Sequence, residues 1–154
     1  MPEHIQVHTD EEYKAAASLF KEYAAWLNID LSFQHFEEEL AQLKEMYVSP
    51  SGGIILSKNE MEYVGCIAIR KIDSEIAELK RMYVKPAFQQ FGIGNALLLD
   101  ALTLAKKCHY KKIRLDTLSN MAPAINLYKR NGFYEIAAYY FNPETTAVFF
   151  EKVL

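Results

Sequence analysis

Gly92 and Gly94 stand where the sequence changes period, and that placement lets them do chemistry. Upstream, Leu79, Arg81, Tyr83 and Val84 lie in a strand-like run that Pro86 stops, since proline brings no backbone donor to a ladder. Downstream, Ala96, Leu97, Leu98, Ala101, Leu102 and Ala105 recur at helical spacing, so the glycines fall in the first turn of a helix reaching Cys108. A helix start leaves backbone N–H groups unpaired and carries partial positive charge, and residues without side chains let a bulky anion approach. The pattern favours the seating of a phosphate.

Two familiar phosphate loops do not match. A Walker-type loop ends in Gly-Lys-Ser/Thr, whereas Gly94 is followed by Asn95 and Ala96. A dinucleotide site would use Gly92-Ile93-Gly94 with Asp116 further on, but the third glycine position is Leu97. Seven residues also separate Val84 from Gly92, where that fold needs a tight strand-to-helix turn.

The flanks are more telling. Gln89-x-x-Gly92-x-Gly94, after a strand at 79–84 and Pro86, resembles the pyrophosphate motif Arg/Gln-x-x-Gly-x-Gly/Ala of the GNAT N-acetyltransferase superfamily. Residues 120–133, NMAPAINLYKRNGF, are similar to that family's second cofactor motif: an Asn after a strand, a helix carrying a Tyr, then Asn-Gly-Phe. The resemblance is clearest over 78–133, and the order of predicted elements follows the fold across nearly the whole chain.

Those elements come from local pattern. Residues 5–8 read as a first strand, and Thr9 with Glu12 forms a capping box for a helix running to Trp26 or Leu27. Phe33, Phe36, Leu40 and Leu43 predict a second helix, with Glu37, Glu38 and Glu39 facing water. Strands at 54–57 and 63–69 form a hairpin, followed by a strand at 77–84, the glycine-started helix and a strand at 112–117. A helix then begins near Met121, tolerates Pro123 in its first turn and ends at Gly132. Strands at 133–139 and 146–153 complete the chain. The fold class is α/β, with helices on both faces of a mixed sheet.

Composition bounds the rest. A length of 154 residues and a hydrophobic fraction of 51% predict a single globular domain over 1–154. A net charge of -3 without a long basic block argues against a nucleic-acid partner. Residues 1–12 hold no signal-peptide pattern, and no apolar run approaches the roughly 18 residues of a membrane span, so the expectation is a soluble, cytoplasmic protein. Cys66 and Cys108 are too few for a disulfide framework and read as buried thiols; no Cys/His spacing suits zinc, so no metal is expected.

What the resemblance implies is specific. The sheet would be mostly antiparallel, with one central parallel pair, 77–84 and 112–117, splayed to admit the pantetheine arm of acetyl-CoA. Met82, Tyr83 and Val84 would offer backbone to that arm. Gln89, Gln90, Phe91, Gly92, Ile93, Gly94 and Asn95 would surround the pyrophosphate, with Gln89 lacking the charge an Arg would bring. Asn120 would bond the arm, with an N-cap role as the alternative. Glu78 would deprotonate the acceptor amine, against the alternative of a solvated strand-end carboxylate. Tyr128 would protonate the departing thiolate, against a half-buried tyrosine packed by Ala124. The acceptor pocket would draw on Tyr23, Trp26, Phe33, Tyr139, Tyr140 and Asn142, suited to a small amine or amino-acid-like acceptor. A non-catalytic acyl-CoA binding module stands as the rival reading, and transfer to a hydroxyl or of a longer acyl group as a third. Val148, Phe149 and Phe150, read as exposed, suggest a homodimer.

Overall fold

A computed structural model describes residues 2–154, apart from the side chain of Phe33. Seven strands form one sheet in the order β1-β2-β3-β4-β5-β7-β6: β1 Glu3–Gln6, β2 Gly53–Asn59, β3 Glu62–Lys71, β4 Ile76–Val84, β5 Lys112–Leu118, β6 Tyr134–Ile136 and β7 Ala147–Val153. Every neighbouring pair is antiparallel except β4 with β5.

The helices are α1 Asp10–Leu27, α2 Phe36–Ala41, α3 Leu43–Met46, α4 Ile93–Lys107 and α5 Ala122–Arg130. The capping box starts α1 as expected, with Glu12 N–H donating to Thr9 Oγ1 at 3.1 Å and Thr9 N–H to Glu12 Oε1 at 2.9 Å. The second predicted helix is instead three pieces: a 3-10 turn at Ser32–Gln34, then α2 and α3, interrupted at His35 with φ of 57° and at Gln42.

Strand alternation builds two cores, one on each face. On β2 and β3, Ile54, Leu56, Cys66 and Ala68 pack with Tyr13, Ala16 and Phe20 of α1, while Ile55, Ile67 and Ile69 pack with Leu97, Leu98 and Ala101 of α4. On β4 this alternation reverses. Ala77 and Leu79 belong to the α4 side, yet Tyr83 belongs to the α1 side. The cause is a bulge: Lys80 pairs with Ala68 and Tyr83 with Cys66, so β4 carries one more residue than β3, and Arg81 takes a φ of 59°.

Three expectations are corrected. The strand at 133–139 ends at Ile136, leaving 137–146 outside any strand. Glu39 does not face water; it is 2% exposed, paired with Arg81. Phe149 and Phe150 are buried, because β7 lies between β5 and β6 and packs inward, which removes the basis for a dimer through that strand. Cys66 is buried and Cys108 half-buried; both are free.

Candidate active site

The parallel pair opens the sheet. β4 and β5 pair only through Ile76, Ala77 and Glu78 against Lys112, Ile113 and Arg114; beyond these the two strands have no ladder with each other. Into that split come the start of α4 from one side and α5 from the other. Gly92 caps α4 with φ of 82°, and a Cβ there would meet nothing within 4 Å. No side chain caps this helix, and its first internal bond runs from Ala96 N–H to Gly92 O at 3.1 Å, so the N–H groups ahead of it are open to a ligand.

A cleft of about 450 Å³ runs from this helix start to the split. Met82, Tyr83, Val84, Gln89, Gln90, Gly92, Ile93, Gly94, Asn95 and Asn120 all line it, as does Tyr128. Phe91 does not, and is 69% exposed. Gln89 turns its amide back on the loop, donating to Val84 O at 2.9 Å. Asn120 is not the N-cap of α5; Met121 is, without a side-chain bond. Trp26 lies on this cleft too, its ring 5.8 Å from that of Tyr83, rather than with the later aromatics.

The cleft meets a smaller cavity, about 60 Å³, at Tyr23, Met82, Thr117 and Tyr128. Tyr128 is buried against Phe133 and Phe150, and among the described residues its hydroxyl has a single, weak hydrogen-bond partner, Met82 Sδ at 3.9 Å. Burial first, then Tyr23 and Asp116, push its phenol well above the ordinary range, so it is a proton-bearing donor. Tyr23 is pushed up to about 12, again mainly by burial.

On the far side lies a groove of about 640 Å³. Glu78 lines it and is 3% exposed, which overturns the solvated alternative: its Oε1 accepts from Arg70 Nε at 3.0 Å and its Oε2 from Tyr139 Oη at 2.6 Å. Tyr140 joins the groove, donating to Asp116 Oδ2 and accepting from Gln34 Nε2 at 2.9 Å. Asn142 lines the small cavity instead, donating to the same Asp116 oxygen at 3.1 Å. Of the predicted acceptor residues, Tyr139, Tyr140 and Asn142 are thus brought together; the side chain of Phe33 lies outside the described residues. Among those described, no cluster of His, Cys, Asp and Glu suits a metal ion, and no helix is long and apolar enough to cross a membrane.

Comparison with known proteins places this geometry. The model of the acetyltransferase (GNAT) family matches residues 5–133. The chain belongs to the GNAT acetyltransferase family. An uncharacterized N-acetyltransferase of Schizosaccharomyces pombe is 32% identical, covering 85% of this chain and 82% of its own. An acetyltransferase from Streptococcus agalactiae, 22% identical, shares the fold with a TM-score of 0.81 over 99% of this chain and 98% of its own. A GNAT family acetyltransferase from Elizabethkingia anophelis with acetyl-CoA bound is 28% identical, with a TM-score of 0.59 over 68% of this chain and 77% of its own.

Sequence reasoning missed four polar residues of this candidate site. Arg81, at the bulge, donates from Nη2 to Glu39 Oε1 at 2.7 Å and from Nη1 to Gln34 Oε1 at 2.8 Å. Gln34 thereby ties the 3-10 turn to β4 and, through Tyr140, to the segment after β6. Lys80 and Asp116 line the small cavity. Nothing local marks any of the four, although Lys80 and Arg81 as adjacent cations within a strand pattern are a weak signal of a buried charge partner.

Proposed function

We propose that this GNAT protein, acting as a single catalytic domain, transfers the acetyl group of acetyl-CoA to a primary amine of a small molecule or amino-acid-like acceptor, directly within a ternary complex. The observation that carries this reading is the meeting of two openings at Met82 and Tyr128, the glycine-lined cleft on one side and a polar cavity on the other. The residues fit the co-substrate. Open N–H groups and the space at Gly92 suit the pyrophosphate, and the unpaired edge of β4 at 82–84 suits an amide-bearing arm. In the Elizabethkingia protein, acetyl-CoA is bound. Because the Gln89 amide is spent on Val84, its part is to hold the loop, and backbone at 90–95 takes the anion.

Bound acetyl-CoA supplies a thioester whose carbonyl carbon is the electrophile. Backbone N–H near Met82 stabilises the carbonyl oxygen as the acceptor nitrogen bonds to carbon. Glu78 takes the ammonium proton through a bridging water, since it lines the outer groove rather than the small cavity. As the C–S bond breaks, sulfur leaves with its electron pair and Tyr128 donates its proton there; a phenol of raised pKa gives it up only as that charge develops. Asn120 bonds the arm, Trp26 walls the cleft, and Tyr139, Tyr140 and Asn142 shape the acceptor side.

The test is calorimetric titration with acetyl-CoA followed by thiol release against small amines and amino acids. Saturable binding with acceptor-dependent release is expected. Binding without release marks an acyl-CoA binding module, and no binding removes the assignment of the cleft.

A further inference from the structure

Lys80 and Asp116, of opposite charge, both line the cavity of about 60 Å³, and no ion pair joins them among the described residues. Lys80 reaches from β4 with its side chain 8% exposed. Its contacts are long: Gln34 Oε1 at 3.5 Å and Glu78 Oε1 at 3.9 Å, the latter oxygen already held by Arg70 at 3.0 Å. An ammonium with three donors is left under-satisfied in a buried place. Across the split on β5, Asp116 lines the cavity and, among the described residues, accepts hydrogen bonds only from neutral groups, Tyr140 and Asn142.

We propose that Lys80 and Asp116 together recognise the head of an α-amino acid, Lys80 holding its carboxylate and Asp116 its ammonium, so that the acceptor is an α-amino acid and not a simple amine. This rests on the acetyltransferase reading above. Three features lead there. The cavity has room for roughly four to six water-sized atoms at about 10–15 Å³ each, which spans the five heavy atoms of an amino-acid head without its side chain. It also contains Met82 and Tyr128, where the cleft arrives, so a head seated in it presents nitrogen to the thioester. Finally, Gln34 and Lys80 line both this cavity and the outer groove, and form the partition between them. The acceptor side chain extends past that partition into the groove of about 640 Å³, beside Ile72, Met46, Tyr139 and Tyr140.

Arg81 and Glu144 also line the cavity; Arg81 is paired with Glu39, which leaves Lys80 as the cation without a close carboxylate, so a ligand carrying both charges suits the lining. A simple amine brings no carboxylate to Lys80, whose nearest carboxylate, Glu78, is 3.9 Å away and already held by Arg70, so the buried ammonium stays under-satisfied and opposes binding.

The experiment compares, on the full chain, thiol release with the common α-amino acids, their carboxamides and their decarboxylated amines, alongside calorimetry of the same compounds on CoA-saturated protein. Expected is a kcat/KM for an α-amino acid at least about 100-fold above that for its carboxamide, a ratio that collapses toward one in Lys80→Met. Asp116→Asn, which keeps the bonds to Tyr140 and Asn142, raises KM for the acid and weakens its calorimetric binding. Equal use of acid and carboxamide by the wild type, or a preference that survives in Lys80→Met, overturns the inference while leaving the acetyltransferase intact. Release with no compound from protein that binds acetyl-CoA overturns both.

Discussion

Arg81 and Glu39 form a bidentate ion pair, Nη2 to Oε1 at 2.7 Å and Nε to Oε2 at 3.1 Å, with side chains 4% and 2% exposed. The pair joins α2 to the bulge of β4, and Tyr47 donates to the same Glu39 oxygen at 2.9 Å. It fixes the turn at Ser32–Gln34 over the split, because Arg81 also holds Gln34. Breaking the pair from one side leaves a buried charge alone. Glu39→Gln therefore costs about 3–5 kcal/mol in urea unfolding, and Arg81→Met a similar amount, whereas the double replacement Glu39→Met with Arg81→Met costs less than either.

The same pair has a pH signature. Burial by itself would raise the Glu39 carboxyl, and the bonds and charge of Arg81 outweigh it, holding the group below its ordinary value. A depressed carboxyl contributes stability that is present above its unfolded pKa of about 4.3 and lost as pH falls through the folded value. Acid unfolding followed by circular dichroism is expected to shift to higher pH in Glu39→Gln.

Lys80 has the opposite sign. Burial, then Arg81, lower it to about 8 from an ordinary 10.5. Between those values the unfolded chain binds the extra proton, so stability rises with pH there, and below about 8 the buried charge is a cost on the order of 3 kcal/mol. Lys80→Met is expected to be more stable than the wild type at pH 7, with the difference shrinking toward pH 10, as read by chemical denaturation.

At the helix start, Gly94→Glu separates charge from backbone strain. Gly92 sits at φ of 82°, where any side chain is strained, whereas a Cβ at Gly94 would meet only Leu127 at 3.8 Å. Gly94→Glu is expected to weaken acetyl-CoA by at least about 100-fold with little loss of fold, through a carboxylate placed where the phosphates approach. Unchanged affinity by calorimetry would remove the site.

Tyr128→Phe deletes a hydroxyl whose one hydrogen-bond partner among the described residues is Met82 Sδ at 3.9 Å, so stability and acetyl-CoA affinity hold while kcat falls by about 100-fold. Glu78→Gln is the companion test: it removes or shifts the acidic limb of the pH-rate profile. An unaltered limb transfers the base role to another group.

The sequence by itself determined the local events. The capping box of α1, the uncapped glycine start of α4, the paired glycines and the order of strands all follow from spacing within a few residues, where hydrogen-bonding geometry is set by neighbours. The motif residues that line the cleft were legible through the resemblance to the family's two cofactor motifs, which lie on two short continuous segments.

Tertiary structure decided which charges meet. The bulge at Arg81 lies between residues that read as ordinary strand, yet it swaps the faces of β4: it turns Arg81 to Glu39 and Tyr83 to the α1 side, while Met82 packs on the α4 side. Glu39 and Arg81 are 42 residues apart and Gln34 and Tyr140 are 106 apart, so no window of sequence carries those bonds. The segment after Ile136 illustrates the competition: its aromatic run suits a strand, but the bonds of Tyr139 to Glu78 and of Tyr140 to Asp116 draw it over the split instead. Propensity sets which segments form elements, and long-range satisfaction of buried polar groups sets where the site is.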